Sequence, residues 1–218
     1  MKEVNIYLGP SGYDLGDDFL KDLNYKIHPP VKKYDIDNLV ASSTQPGIIV
    51  LVDGVFFPYP AVGHVEIREA IAKGWELWGL SSMGAIRAYE MRNDGMKGFG
   101  YVYSCFFEQE DFKDDEMALL YNPEKPYHPI TEPLINIRYF LSHLVSANLI
   151  TTGICDEILN VFSQLWFGER TLDLLETLLL KHDCDPDVFK ELDDFKKYRI
   201  KTIDVVNFFN TRPCLMQE

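Results

Sequence analysis

Basic side chains are scarce in this sequence: 21 Lys and Arg stand against 34 Asp and Glu, a net charge of −13 over 218 residues. Neutralising nucleic-acid phosphates or an anionic bilayer surface needs clustered Lys and Arg, and no such run occurs, so neither nucleic acid nor membrane is an expected partner. Long apolar runs are missing too; none approaches the roughly 18 residues that span a bilayer. The start "MKEVNIYLGPSG" has one lysine and a strand-like alternation in place of a secretory signal core, which predicts a cytoplasmic protein. The cysteines (Cys105, Cys155, Cys184 and Cys214) form no CxxC pair. They read as reduced, mostly buried thiols, not as a disulfide frame or a zinc site. Repeats and low-complexity tracts are absent as well.

What is there suits a globular domain. Hydrophobic residues make up 46% and aromatics 13% of the chain, enough for a sizeable core. "VNIYL" (4–8), "IIVLV" (48–52) and "WELWGL" (75–80) are short apolar runs of strand type. Residues 61–74 place Val62, Val65, Ile67, Ala70 and Ile71 at mainly three- and four-residue spacing, with Pro60 ahead and Gly74 behind, which predicts a helix. Residues 83–91 predict the next one. Strand–helix alternation implies crossover connections and a parallel sheet. From about Leu134 the sequence becomes a series of amphipathic helices. The expectation is an α/β fold: a parallel-stranded, three-layer-like core over residues 1–145 and a helical C-terminal extension over 146–218, matching no standard superfold.

Candidate chemistry centres on "LWGLSSMGAIRAYEM" (77–91). Ser82 falls on the turn from strand to helix, at the carboxyl end of a parallel sheet, where α/β proteins place ligands. The N–H groups of Met83 and Gly84 would be orphan donors there, suited to a developing oxyanion. Gly79-Leu80-Ser81-Ser82-Met83-Gly84 is close to a G-x-S-x-G elbow, with one residue too many before the second serine. The competing reading makes Ser82 only the N-cap of a helix.

Asp53 ends the other buried strand and should share this edge. Gly54, Ser81 and Glu66 would then flank a substrate, with His64 and Glu66 in the first turns of the helix entered from that edge. Arg87, about one turn beyond Ser82, suits a carboxylate or a pairing with Glu90. Asp, His and Ser at one rim form a hydrolytic set. As plain structure, Asp53-Gly54 is a turn, His64 a half-buried polar residue and Glu66 a favourable charge at a helix start. His64-x-Glu66 with Cys105 lacks metal-ligand spacing, and no metal or cofactor is expected.

"LVDGVFFPYPAVGHVEI", "GLSSMGAIRAYEM", "GMKGFGYVY", "DDEMALLY" and "YHPITEPLINIR" occur in order over Leu51–Arg138, with "YLGPS" ahead of them. Together they resemble the TfuA-like proteins over roughly the first 140 residues. The resemblance implies a partner of YcaO-type enzymes in peptide-backbone thioamidation. Such a protein hydrolyses a thiocarboxylated ThiS-like sulfur carrier, releases sulfide, and helps the YcaO enzyme hold its peptide or protein substrate. It further implies a Ser–Lys pair, with Ser82 as nucleophile. The family segment usually has lysine directly after the histidine of Pro-Ala-Val-x-His, and this chain has Val65. The base is then Lys97, His64 or absent. In the last case the chain is a non-catalytic adaptor for the YcaO enzyme and its peptide. A weaker third reading is an anion-binding module, with phosphate on the Ser82 helix start and the Gly9–Gly12 loop. Asp114-Asp115-Glu116 reads first as a structural element ahead of "MALLY" and second as a positioning element.

Overall fold

The three apolar runs form neighbouring strands. In a computed structural model, which describes residues 2–16, 19, 25–55, 58–108 and 112–215, β1 (Val4–Tyr7), β2 (Lys26–His28), β3 (Ile48–Leu51), β4 (Glu76–Leu80) and β5 (Lys97–Phe99) make one all-parallel sheet in the order β2-β1-β3-β4-β5. The α/β class with parallel strands and a helical C-terminal region is the one the sequence implies. Where the sequence reading expected no standard superfold, the strand order is one shared by doubly wound proteins. It reverses between β1 and β3, and that reversal is the switch point at which such sheets bind ligands.

Alternating side chains feed the two faces of the sheet. Ile49, Leu51 and Leu77 point to one side and pack with α1 (Asp35–Ser42), α2 (His64–Ala72) and α3 (Met83–Glu90). Ile48, Val50, Trp78 and Leu80 point to the other, against Val205, Phe208 and Phe209 of α9 (Ile200–Thr211). The last helix of the chain therefore supplies the third layer over the first strands. Between lie α4 (Tyr101–Glu108) and the cluster of α5 (Leu134–Ser146), α6 (Thr152–Gln164), α7 (Leu172–Lys181) and α8 (Pro186–Asp193), which share one core around Phe140, Phe162 and Leu179.

Buried ionic groups stitch the helical cluster to the sheet. Arg170, fully buried, donates to the Phe162, Leu165 and Asp115 carbonyls and pairs with the Asp115 carboxylate. Arg199 reaches Glu132 at 3.0 Å and Asp14, in the loop after β1, at 2.8 Å. Glu116 pairs with Arg138 at 2.7 Å. Asp204 of α9 accepts the Tyr101 and Val102 N–H groups at 2.8 and 2.9 Å, so a carboxylate from the tail sits at the start of α4. Gly100 allows that approach, since a Cβ there would meet the Asp204 carboxyl at 2.4 Å.

Gly79 and Gly84 are tighter still. A Cβ on Gly79 would lie 2.0 Å from the Gly84 carbonyl oxygen, and one on Gly84 would lie 1.8 Å from that of Leu51. Their bareness lets α3 begin directly against β3 and β4. Gly84→Ala is expected to destabilise the protein by more than about 3 kcal/mol, read as a lowered urea midpoint.

Burial pushes the Asp204 carboxyl up to about 6 against the pull of its two N–H donors. The folded state thus holds this proton more tightly than the unfolded chain. The resulting stability is full below about pH 4 and is lost as pH rises through 6, by about 3 kcal/mol. Urea titrations between pH 4 and 7 should show this slope in the wild type and lack it in Asp204→Asn.

Candidate functional site

The register places the loop residues side by side. Tyr7 pairs with Leu51 and Leu51 with Gly79, so Gly9, Asp53 and Ser81, each two residues further on, line the carboxyl edge of three adjacent strands. The Asp53 carboxylate, buried, accepts the Gly9 and Ser11 N–H groups at 2.8 and 3.0 Å and the Ser11 hydroxyl at 2.7 Å. It closes the loop after β1 over the switch point. The amides that the phosphate reading assigned to an anion are held by this carboxylate instead.

The two serines part company here. Ser81 adopts φ +63°, a left-handed conformation that costs a non-glycine residue on the order of 1–3 kcal/mol. The Ser82 N–H folds back to the Leu80 carbonyl at 2.8 Å across it. The Ser81 hydroxyl donates to the main-chain carbonyl of Lys201 at 2.8 Å. Ser82 stands at the N-cap position of α3, yet its side chain makes no capping hydrogen bond, and no other described residue engages its hydroxyl. The residue is buried, 2% exposed, but the hydroxyl is not sealed in without a partner, so it meets space at the edge. Of the two expected oxyanion donors, the Gly84 N–H is committed to the Val52 carbonyl at 3.1 Å, whereas the Met83 N–H has no acceptor among the described residues. Gly54 packs on Met83, whose Cγ would lie 2.6 Å from an added Cβ.

The remaining expected residues assemble elsewhere. His64 Nε2 meets the Glu90 carboxylate at 2.7 Å, and Arg87 reaches the same oxygen at 2.5 Å while donating to the Val62 carbonyl at 2.9 Å. Glu90 lies two turns down α3, about 12 Å along its axis from Ser82, so this group belongs to the flank between α2 and α3 and not to the Ser82 edge. Desolvation raises the Glu90 carboxyl, but hydrogen bonds from His64 and Arg87 outweigh it and hold the group below its usual range. Glu66 accepts the Gly63 and Tyr34 N–H groups at 2.7 and 3.1 Å, and its burial raises it; it fastens the start of α2. Lys97 pairs with Glu76 at 2.9 Å. Glu76 opens β4, so that lysine sits at the amino end of the sheet, opposite Ser82. Val65 is 63% exposed. A lysine there would stand in water with nothing to lower its pKa, so Val65 does not by itself empty the serine site of a base.

The residue the sequence did not reveal is Lys201. It opens α9, is 2% exposed, donates from Nζ to the Met117 carbonyl at 3.1 Å, and lines a small recess with Ser11, Glu132 and Asn136. Desolvation lowers its pKa, opposed by the charges of Asp53 and Glu132. The signal was present in "RIKTIDVVNFF": a Lys and an Asp three apart in an otherwise apolar helix flank need buried partners. Among the described residues no group of His, Cys, Asp and Glu is arranged to hold a metal ion, and no helix is long and apolar enough to cross a membrane.

The family model for TfuA-like proteins matches residues 53–171, more than half of the chain. This chain belongs to the TfuA-like family. The match opens on Asp53, takes in both serines, the flank around His64, the acidic segment at 114–116 and α5, and runs through α6 to Thr171. The loop after β1 and Lys201 lie outside it. No curated protein matches the chain.

Because the folded pKa of Lys201 is lowered, its stability term is full above about pH 10 and is lost as pH falls through the folded value. Lys201→Met should therefore gain stability relative to wild type as pH drops from 10 to 6, measured by urea unfolding at each pH.

Proposed function

We propose that this TfuA-like protein is a serine-dependent hydrolase that releases sulfide from a thiocarboxylated ThiS-like sulfur carrier for a YcaO-type enzyme. It also assists that enzyme in holding its peptide or protein substrate. The observation that carries the reading is the uncommitted Ser82 hydroxyl at the carboxyl edge of a parallel sheet, in a position where a merely structural serine would cap α3. The substrate class is the one that the resemblance of the motifs to TfuA-like proteins implies, and membership of that family supports it.

The chemistry is acyl transfer to water. Ser82 Oγ bonds to the thiocarboxylate carbon, the Met83 N–H faces the developing oxyanion, and the C–S bond breaks to release hydrosulfide. Water then attacks the acyl-serine ester, freeing the carrier carboxylate and the serine. The Ser82 proton needs an acceptor of lowered pKa; burial lowers that of Lys201, whose main-chain carbonyl anchors the neighbouring Ser81 and whose Nζ has to leave the Met117 carbonyl to reach the serine. Asp53 holds the Gly9–Ser11 loop and faces the lysine with its charge.

Sulfide release from a thiocarboxylated carrier tests this. Ser82→Ala should fall to background, and Lys201→Met should lose on the order of 10²-fold or more in kcat. Val65→Lys should change nothing, since position 65 lies in solvent. Full turnover in Ser82→Ala would overturn the proposal.

Exposed Trp166 and Leu180 on the helical cluster favour a second reading, a non-catalytic adaptor that binds the YcaO enzyme and its peptide. It predicts no sulfide from any variant and YcaO binding that weakens in Trp166→Ala.

A further inference from the structure

A cleft of about 570 Å³ opens over the carboxyl ends of β1 and β2, beside the switch point, a size and place typical of a ligand site. Tyr7, His28, Asn38, Tyr59, Tyr121 and Tyr127 supply much of its wall.

Its chemistry argues against a phosphate-bearing ligand. In doubly wound folds phosphate rests on the amides of the loop after the first strand, and here the Gly9 and Ser11 amides are already held by Asp53. The formal charges among the described lining residues are one Lys and one Asp. Lys32 Nζ lies 5.1 Å over the Tyr59 ring, and the Asp35 carboxylate accepts the Lys32 N–H at 3.0 Å. Burial lowers the His28 pKa and so favours its neutral form. A balanced pair and a neutral imidazole favour an uncharged ligand.

The remaining groups suit a main chain. The hydroxyls of Tyr59, Tyr121 and Tyr127 and the amide of Asn38 have no hydrogen-bond partner among the described residues. Tyr121 is pushed up to about 12 by burial, with the Asp53 and Tyr127 charges adding to it, so its phenol remains a donor. Flat tyrosine rings and Pro29, Pro30 and Pro123 line the same space, a surface on which extended peptides lie. Tyr121 also feels the charge of Asp53, which follows β3 at the same carboxyl edge as the turn after β4.

We propose that this cleft binds the extended C-terminal segment of the thiocarboxylate-bearing carrier by its uncharged main chain, gripped by tyrosine rings and by donors to its carbonyls. The identity of the bound chain rests on the hydrolase reading; the cleft's preference for a neutral peptide does not. The test is fluorescence anisotropy of a fluorescein-labelled peptide copying the C-terminal residues of a ThiS-like carrier, in the plain carboxylate form, with the full chain. Saturable binding should weaken by about tenfold or more in Tyr59→Ala and in Asn38→Ala, with fold retention checked by circular dichroism. FMN and ATP should not displace the peptide. Equal affinity in wild type and both variants, no binding at all, or displacement by FMN or ATP would overturn the proposal. Peptide binding needs no turnover. A protein that grips the peptide through Tyr59 and Asn38 yet releases no sulfide sinks the hydrolase and keeps the cleft, and sulfide release without peptide binding does the reverse.

Discussion

One buried carboxylate organises the functional end of the sheet. Asp53 takes two main-chain N–H groups and one hydroxyl from the loop after β1, and those bonds join the ends of the two parallel strands between which the strand order reverses. A buried carboxylate without such partners would be unstable by several kcal/mol, so the loop and the aspartate fix one another. The bonds occupy the amides that other doubly wound proteins offer to phosphate. They also leave a charge that both Lys201 and Tyr121 feel.

The C-terminal helix completes that arrangement. The Lys201 carbonyl takes the Ser81 hydroxyl, its ammonium nitrogen reaches the Met117 carbonyl, and Asp204 fastens the start of α4. Anchoring Ser81 in this way leaves Ser82 as the neighbouring hydroxyl without a partner among the described residues. The tight turn, with its left-handed Ser81 and its bare Gly79 and Gly84, stores strain where α3 begins. A scaffold that uses four elements to hold one turn is suited to a site, because the hydroxyl's position is set by packing and not by its own hydrogen bonds.

Strands β1, β3 and β4 and helices α2 and α3 were legible in the sequence because each carries a strong periodic or apolar signal between turn residues. β2 and β5, three residues each and only partly buried, carry almost none, so the strand order could not be reasoned out. Ser82, Met83, Gly54 and Asp53 lie together at the edge as their places after strands suggest. His64 and Arg87 do not join them. Position in a first turn fixes a height on the helix but not a direction, and Glu90 on α3 draws both side chains to the flank. Lys201 was hidden by distance along the chain: it meets Ser81 across 120 positions, and no local pattern records such a contact.

The most direct test of the account is labelling with a fluorophosphonate probe followed by peptide mass spectrometry. A hydroxyl that is free, edge-placed and activated should give one adduct, on Ser82, whose yield falls in Lys201→Met. An unlabelled protein, or an adduct on Ser81 or Ser11 in its place, would contradict the claim that this turn presents a nucleophile.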